Sequence, residues 1–274
     1  IPMSRQKAVP YSIAAGADMF LFARNLQEDF EYMLAGIKEG IITANRLDEA
    51  VTRIIATKAA LGLHKGVVSP DEETALAIVG CHQHKEWARE CADKAITLVK
   101  EEPGVLPLNT TRYKKILFYP LEPETGGGGP YQVIAACGRV KALLEKEGFE
   151  VEVFTPQPGM EGRTRRSSEI TERYDLIVYV ANYVTKSNQT AVRIEWAQPM
   201  GANCAHYAND VPTIFISLEN PYHLLDVPRM KTFINTYNSD QVVIEALIEK
   251  LMGRSAFIGH SPVDPFCGKW DARL

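Results

Sequence analysis

Long apolar runs are missing from this 274-residue chain. Nothing in it approaches the roughly 20 consecutive apolar residues that a helix needs to cross a bilayer, so a helical membrane span is not expected. An excess of charge of one sign is missing too, with 30 Lys and Arg against 34 Asp and Glu and a net charge of -4. Without a broad basic face, a nucleic-acid partner has no electrostatic footprint. Cysteine is scarce: Cys81, Cys91, Cys137, Cys204 and Cys267 are odd in number and widely spaced. That spacing speaks against a disulfide framework and for a reducing, cytoplasmic compartment. The chain begins at Ile1 rather than methionine and lacks a signal-like apolar core. It therefore reads as the C-terminal part of a longer protein.

What is present falls into three stretches: 1–64, a connector at 65–108, and 109–274. In the first, Ala8–Ile13 suggests a short helix, and the small residues from Ala14 lead into a compact buried strand ending at Phe22. Asp29–Glu39 is helical, with Phe30, Met33, Leu34 and Ile37 on one face and Gly40 as its stop. A second helix is capped at Thr43 or Asn45, runs Leu47, Val51, Ile54, Ile55 and Lys58 down one side, and closes at Gly62. Strand, loop and long amphipathic helix together look like one unit of a larger barrel.

The connector carries Ser69 as an N-cap, a helix over Glu86–Lys94, and a β-branched strand over Ala95–Val99. From Lys115 strands and helices alternate. Strands are expected at Ile116–Tyr119, Glu150–Phe154, Leu176–Val180, Thr213–Ser217 and Thr232–Tyr237. Helices are expected at Tyr131–Glu147, Pro199–Ala208 and Gln241–Met252. This rhythm predicts an α/β fold, a mostly parallel sheet covered by helices on both faces.

Chemistry-bearing residues are few. The glycine run Gly126–Gly129 stands between a strand and a helix and reads as a flexible helix entrance, with an anion cradle as the alternative. Cys81, His82, His84 and Cys91 are metal-capable, but no second cluster completes a tetrahedral set; neither a metal nor a cofactor is expected. Asp18 either pairs with basic neighbours or faces a site at the end of a barrel strand. Arg193 and Glu195 fall on one side of an extended segment following the third strand, and Trp196 offers a flat face of the kind sugars stack on. A surface ion pair beside a core tryptophan is the plainer reading of the same residues. Asn220-Pro221-Tyr222 forms a sharp exit turn after the fourth strand.

Ala14–Phe22, Arg46–Leu63, Ala92–Leu108 and Asn220-Pro221-Tyr222, joined by Gly259-His260-Ser261-Pro262-Val263, resemble the C-terminal part of glycoside hydrolase family 3. The match runs in order from about Ile13 to Val263, and Val211–Ser217 is more similar to the β-N-acetylglucosaminidase branch than to the β-glucosidase branch. The resemblance implies a remnant of a (β/α)8 barrel over 1–64, followed by an α/β sandwich. It also implies a retaining mechanism with paired catalytic groups. The aspartate nucleophile would lie upstream of Ile1. The acid/base would be a histidine upstream or, in the glucosidase manner, a sandwich-domain glutamate, for which Glu195 is the candidate here. Asp18, Arg193 and Trp196 are then the candidates for substrate contact. A carbohydrate bound through the absent barrel is the expected partner, with a homo-oligomer as a further option and no nucleic acid or membrane. The alternative is a non-catalytic carbohydrate- or protein-binding module.

Overall fold

Continuous burial, position after position, is what a parallel sheet covered on both faces requires of its strands, and the central strands show it. β4 (Leu176–Ala181) and β5 (Thr213–Ser217) are buried at every position, and so is β6 (Thr232–Asn235). The computed structural model describes residues 3–66, 71–122, 136–155, 166–184, 193–197 and 201–273. It divides into two units, Ile1–Ala77 and Ile78–Leu274.

In the second unit the sheet has six strands in the order β1-β6-β5-β4-β2-β3, with β1 at Thr97–Lys100, β2 at Lys115–Leu121 and β3 at Glu150–Val153. β2 to β6 run parallel, while β1 lies antiparallel on β6. One face packs Ile116, Phe118, Val178, Ile214 and Ile234 beneath helices α5 (His82–Ala95), α6 (Ala136–Lys146) and α8 (Gln241–Leu251). The other face turns toward α7 (Ser167–Arg173) and carries a row of stacked rings: Phe154, Tyr119, Tyr179, Phe215 and Phe233, with centroids 4.5, 4.3, 5.9 and 5.1 Å apart. Each ring sits opposite its neighbour on the adjacent strand, the pairing geometry that stabilises sheets. Asp175 fixes the start of β2, its carboxylate accepting from the backbone N–H of Lys114 and Lys115, each at 2.8 Å. Beneath α5 and α8, the fully buried Lys250 ammonium reaches Ala256 O at 2.7 Å, Asp93 at 2.9 Å and Ser255 Oγ at 3.2 Å.

The α/β architecture expected from the sequence is present, and two local expectations are corrected. Pro199–Ala208 is not a helix: its described part is a series of turns, because Gly201 sits at φ 61° and the Asn203 side chain accepts from Ala197 N at 2.7 Å. The glycine run and Ser69 lie outside the described residues.

The first unit holds α1 (Arg5–Ala14), α2 (Leu26–Lys38) and α3 (Ala44–Ala60), with α4 (Glu72–Ile78) beginning inside it. Asn25 caps α2 and Thr43 caps α3. The expected strand ending at Phe22 is replaced by turns and bends, and Met19, Leu21 and Phe22 are 68%, 75% and 88% exposed. Phe22 stands at φ 61°, where strand residues do not sit. The carbonyls of Ile13 and Ala17 are taken by the Arg46 guanidinium at 2.9 and 3.0 Å rather than by a neighbouring strand. Among the described residues no helix is long and apolar enough to cross a membrane.

Candidate functional site

Parallel strands place all their carboxyl ends on one edge, and ligands of such sheets bind outside that edge, where the winding direction reverses. Here register sets Leu121, Ala181, Ser217 and Asn235 side by side across β2, β4, β5 and β6. The reversal falls between β2 and β4, because β3 lies on one side of β2 and β4 to β6 on the other.

Polar side chains cluster on this edge. Glu122, directly after β2, accepts from Cys137 N in the first turn of α6 at 2.8 Å and from Asn182 Nδ2 at 3.3 Å. A carboxylate at a helix N-terminus is favourably placed. Asn182 and Asn235 are wholly buried, and their Oδ1 atoms have no partner among the described residues. At the end of β5, Ser217 Oγ donates to Asn220 O at 2.6 Å and lies 2.8 Å from His223 Nδ1. A serine hydroxyl has one proton, so His223 Nδ1 is the donor of the second bond and Nε2 is left as a bare acceptor. His223 is completely buried, and burial lowers its pKa to about 4, so the ring is neutral.

The segment 193–197 lies against this turn. Arg193 is ion-paired to Asp226, whose other oxygen accepts from Ile194 N at 3.3 Å. The paired carboxylate raises the Arg193 pKa further. Glu195 keeps its side chain exposed while its carbonyl accepts from Tyr183 OH at 3.2 Å. Burial pushes the Tyr183 hydroxyl up to about 12. Trp196 is half-buried against the ring-bearing face of the core. Alternation therefore holds as expected, with Arg193 and Glu195 outward and Ile194 inward, but the partner of Arg193 is Asp226.

Asp18 belongs to the first unit. It pairs with Arg46 at 2.5 Å and Arg53 at 3.0 Å, and the Arg46 hydrogen bond, ahead of that from Arg53, holds its carboxyl below the ordinary range. The structure thus brings Arg193, Glu195 and Trp196 together and leaves Asp18 in the other unit. Asp226, His223, Tyr183, Glu122 and Asn182 were missed by sequence reasoning. The available signal was a histidine and an aspartate three residues apart, immediately beyond the Asn-Pro-Tyr turn. Among the described residues no group of three His, Cys, Asp or Glu could hold a metal ion.

No family model matches the sequence. A β-N-acetylglucosaminidase/β-glucosidase of Cellulomonas fimi is 52% identical over 275 residues, covering 99% of this chain and 48% of that protein. A lysosomal β-glucosidase of Dictyostelium discoideum is 32% identical over 115 residues, 42% of this chain. Among solved structures, the β-glucoside phosphorylase BglX superposes at a TM-score of 0.75 with 42% identity, covering 99% of this chain and 48% of its own. A glycoside hydrolase family 3 β-N-acetylglucosaminidase of a Paenibacillus strain shares the fold at a TM-score of 0.54 and 20% identity. The chain spans about half the length of the first relatives it matches. Taken with the sheet order and the motifs running through both units, these likenesses show that the chain resembles the C-terminal part of glycoside hydrolase family 3.

Proposed function

We propose that this chain is the sandwich-bearing half of a longer enzyme that cleaves β-linked N-acetylglucosamine, and secondarily β-glucosides, with retention. The observation that carries this is the 52% identity to the Cellulomonas fimi β-N-acetylglucosaminidase/β-glucosidase along 99% of the chain. In this reading the nucleophile and the histidine acid/base are carried on barrel residues outside the 274. The sheet domain supports the barrel and borders the substrate cleft. Arg193, Glu195 and Trp196 form the border: an exposed cation, an exposed carboxylate and an indole, on a backbone pinned by Asp226 and Tyr183. Asp18, neutralised by two guanidiniums, orders the loop before α2 on the barrel side. The five free thiols fit a cytoplasmic setting.

The test is release of 4-nitrophenol from the N-acetyl-β-glucosaminide and the β-glucoside by this chain and by the full-length protein. Turnover by the full-length protein alone is expected. Turnover by this chain would assign the chemistry to Glu195 and Asp18 and overturn the division of labour.

A second reading is favoured by the 42% identity to a β-glucoside phosphorylase over 99% of the chain. The intermediate would then be resolved by inorganic phosphate rather than water. Rate enhancement by millimolar phosphate, with a glycosyl phosphate as product, selects it; an unchanged rate and free sugar select hydrolysis.

A further inference from the structure

The excursion after β5 does more than turn the chain. Its short helical turn, His223–Leu225, and the Asp226 that caps it supply two anchors facing different parts of the fold. His223 is tied back to Ser217 at the end of β5, and Asp226, whose N–H donates to His223 O at 2.9 Å, reaches forward to Arg193 and Ile194. The Asp226 side chain is 6% exposed while that of Arg193 is 62% exposed, so the carboxylate is the fixed member and the guanidinium the presented one. Tyr183, two residues beyond β4, closes the loop: its ring meets His223 edge-on at 5.8 Å, and its hydroxyl holds Glu195 O. Buried Ile194 lies between the two outward side chains. The ring of contacts runs Ser217, His223, Asp226, Arg193–Glu195, Tyr183 and back to His223.

We propose that this closed bracket fixes the segment 193–197 at the carboxyl edge of the sheet, which makes Asp226 the positioning residue for Arg193 and Glu195 at the cleft border. The proposal rests on the reading above for the word cleft; the bracket itself does not depend on it. Preorganised site residues need a supporting layer whose own rotamers are locked, and Asp226 meets that need by carrying both an ion pair and a backbone N–H. The neutral His223 ring serves the same end, since a proton on Nε2 would be buried with no acceptor among the described residues.

The test has two arms. Hydrogen–deuterium exchange on this chain reads the bracket without turnover: Asp226→Ala is expected to speed exchange in the 193–197 peptide at least tenfold, with β4 and β5 unchanged. Equal exchange in both proteins overturns the bracket. In the full-length protein, Asp226→Asn keeps an acceptor for Ile194 N and is expected to fold. It should raise KM for the aryl glycoside about tenfold with kcat within twofold. Faster exchange with KM and kcat both unmoved overturns the positioning role. Absence of activity in the unaltered full-length protein counts against the proposed reaction alone, since the exchange arm still decides the bracket.

Discussion

Lys250 shows at a single residue how a charge is kept inside a core. Its three protons meet three acceptors, Ala256 O, Asp93 and Ser255 Oγ, so no donor is left unpaired. Lys250→Ala should cost roughly 3–5 kcal/mol in chemical denaturation, because it opens a cavity and strands the Ala256 carbonyl. Lys250→Met, which keeps the stem, should cost clearly less; equal costs would mean that charge rather than packing dominates. His223 gives a pH signature. Its folded pKa of about 4 lies below the ordinary 6.5, so the unfolded chain takes the proton first. The stability this confers is complete above about 6.5, declines as pH falls toward about 4, and is constant below. The total is on the order of 3 kcal/mol. Urea denaturation of the wild type and His223→Gln at pH 7.5 and 4.5 isolates it, because contributions from the carboxylates cancel in the difference. A gap between the two proteins that does not change with pH would refute the assignment.

At the scale of elements, caps and periodicity placed α1, α2, α3, α5 and α8 to within a few residues, while the short α4 and α7 were not foreseen and Pro199–Ala208 was wrongly read as helical; the strands from β2 to β6 stood where the apolar runs placed them. Two features were hidden because tertiary partners decide them. The run ending at Phe22 has strand composition, but a strand needs a neighbour to take its backbone groups; Arg46 takes two carbonyls instead. The apolar stripe of α2 was legible as a stripe but the side that packs was not: Phe30, Leu34 and Ile37 stay exposed while Asp29 and Gly36 are buried. Gly36 shows why. A Cβ there would stand 2.4 Å from Pro10 Cβ, so α1 and α2 meet through the missing side chain, with Arg5 and Asp29 paired beside it. Gly36→Ala is therefore expected to destabilise the first unit by roughly 1–3 kcal/mol through overpacking. Exchange should quicken across α1 and α2 and stay as it was in β4 and β5; an unaltered α1 would refute the close contact.

For the whole molecule, the candidate site was legible in part. Arg193, Glu195 and Trp196 were found because alternation continues past β4, whereas Asp226 was not, since its role exists only once β4 and β5 lie side by side. Met19, Leu21, Phe22, Leu26 and Phe30 of the first unit, together with Val51, Ile55 and Leu61, form a large share of the exposed apolar side chains, and exposed apolar surface of this kind favours association. This chain should bind 1-anilinonaphthalene-8-sulfonate and self-associate in light scattering. A 78–274 truncation should do neither while keeping its sheet signal; dye binding retained by the truncation would place the sticky surface elsewhere.

Without β1, the strand order is β3-β2-β4-β5-β6, the winding in which many sheets seat a nucleotide phosphate on the helix that follows the first central strand. In this chain that helix is α6, and its first-turn N–H is already engaged by Glu122. The fold has in effect supplied its own anion. A phosphate arriving at that N–H would meet the Glu122 carboxylate already bonded to it.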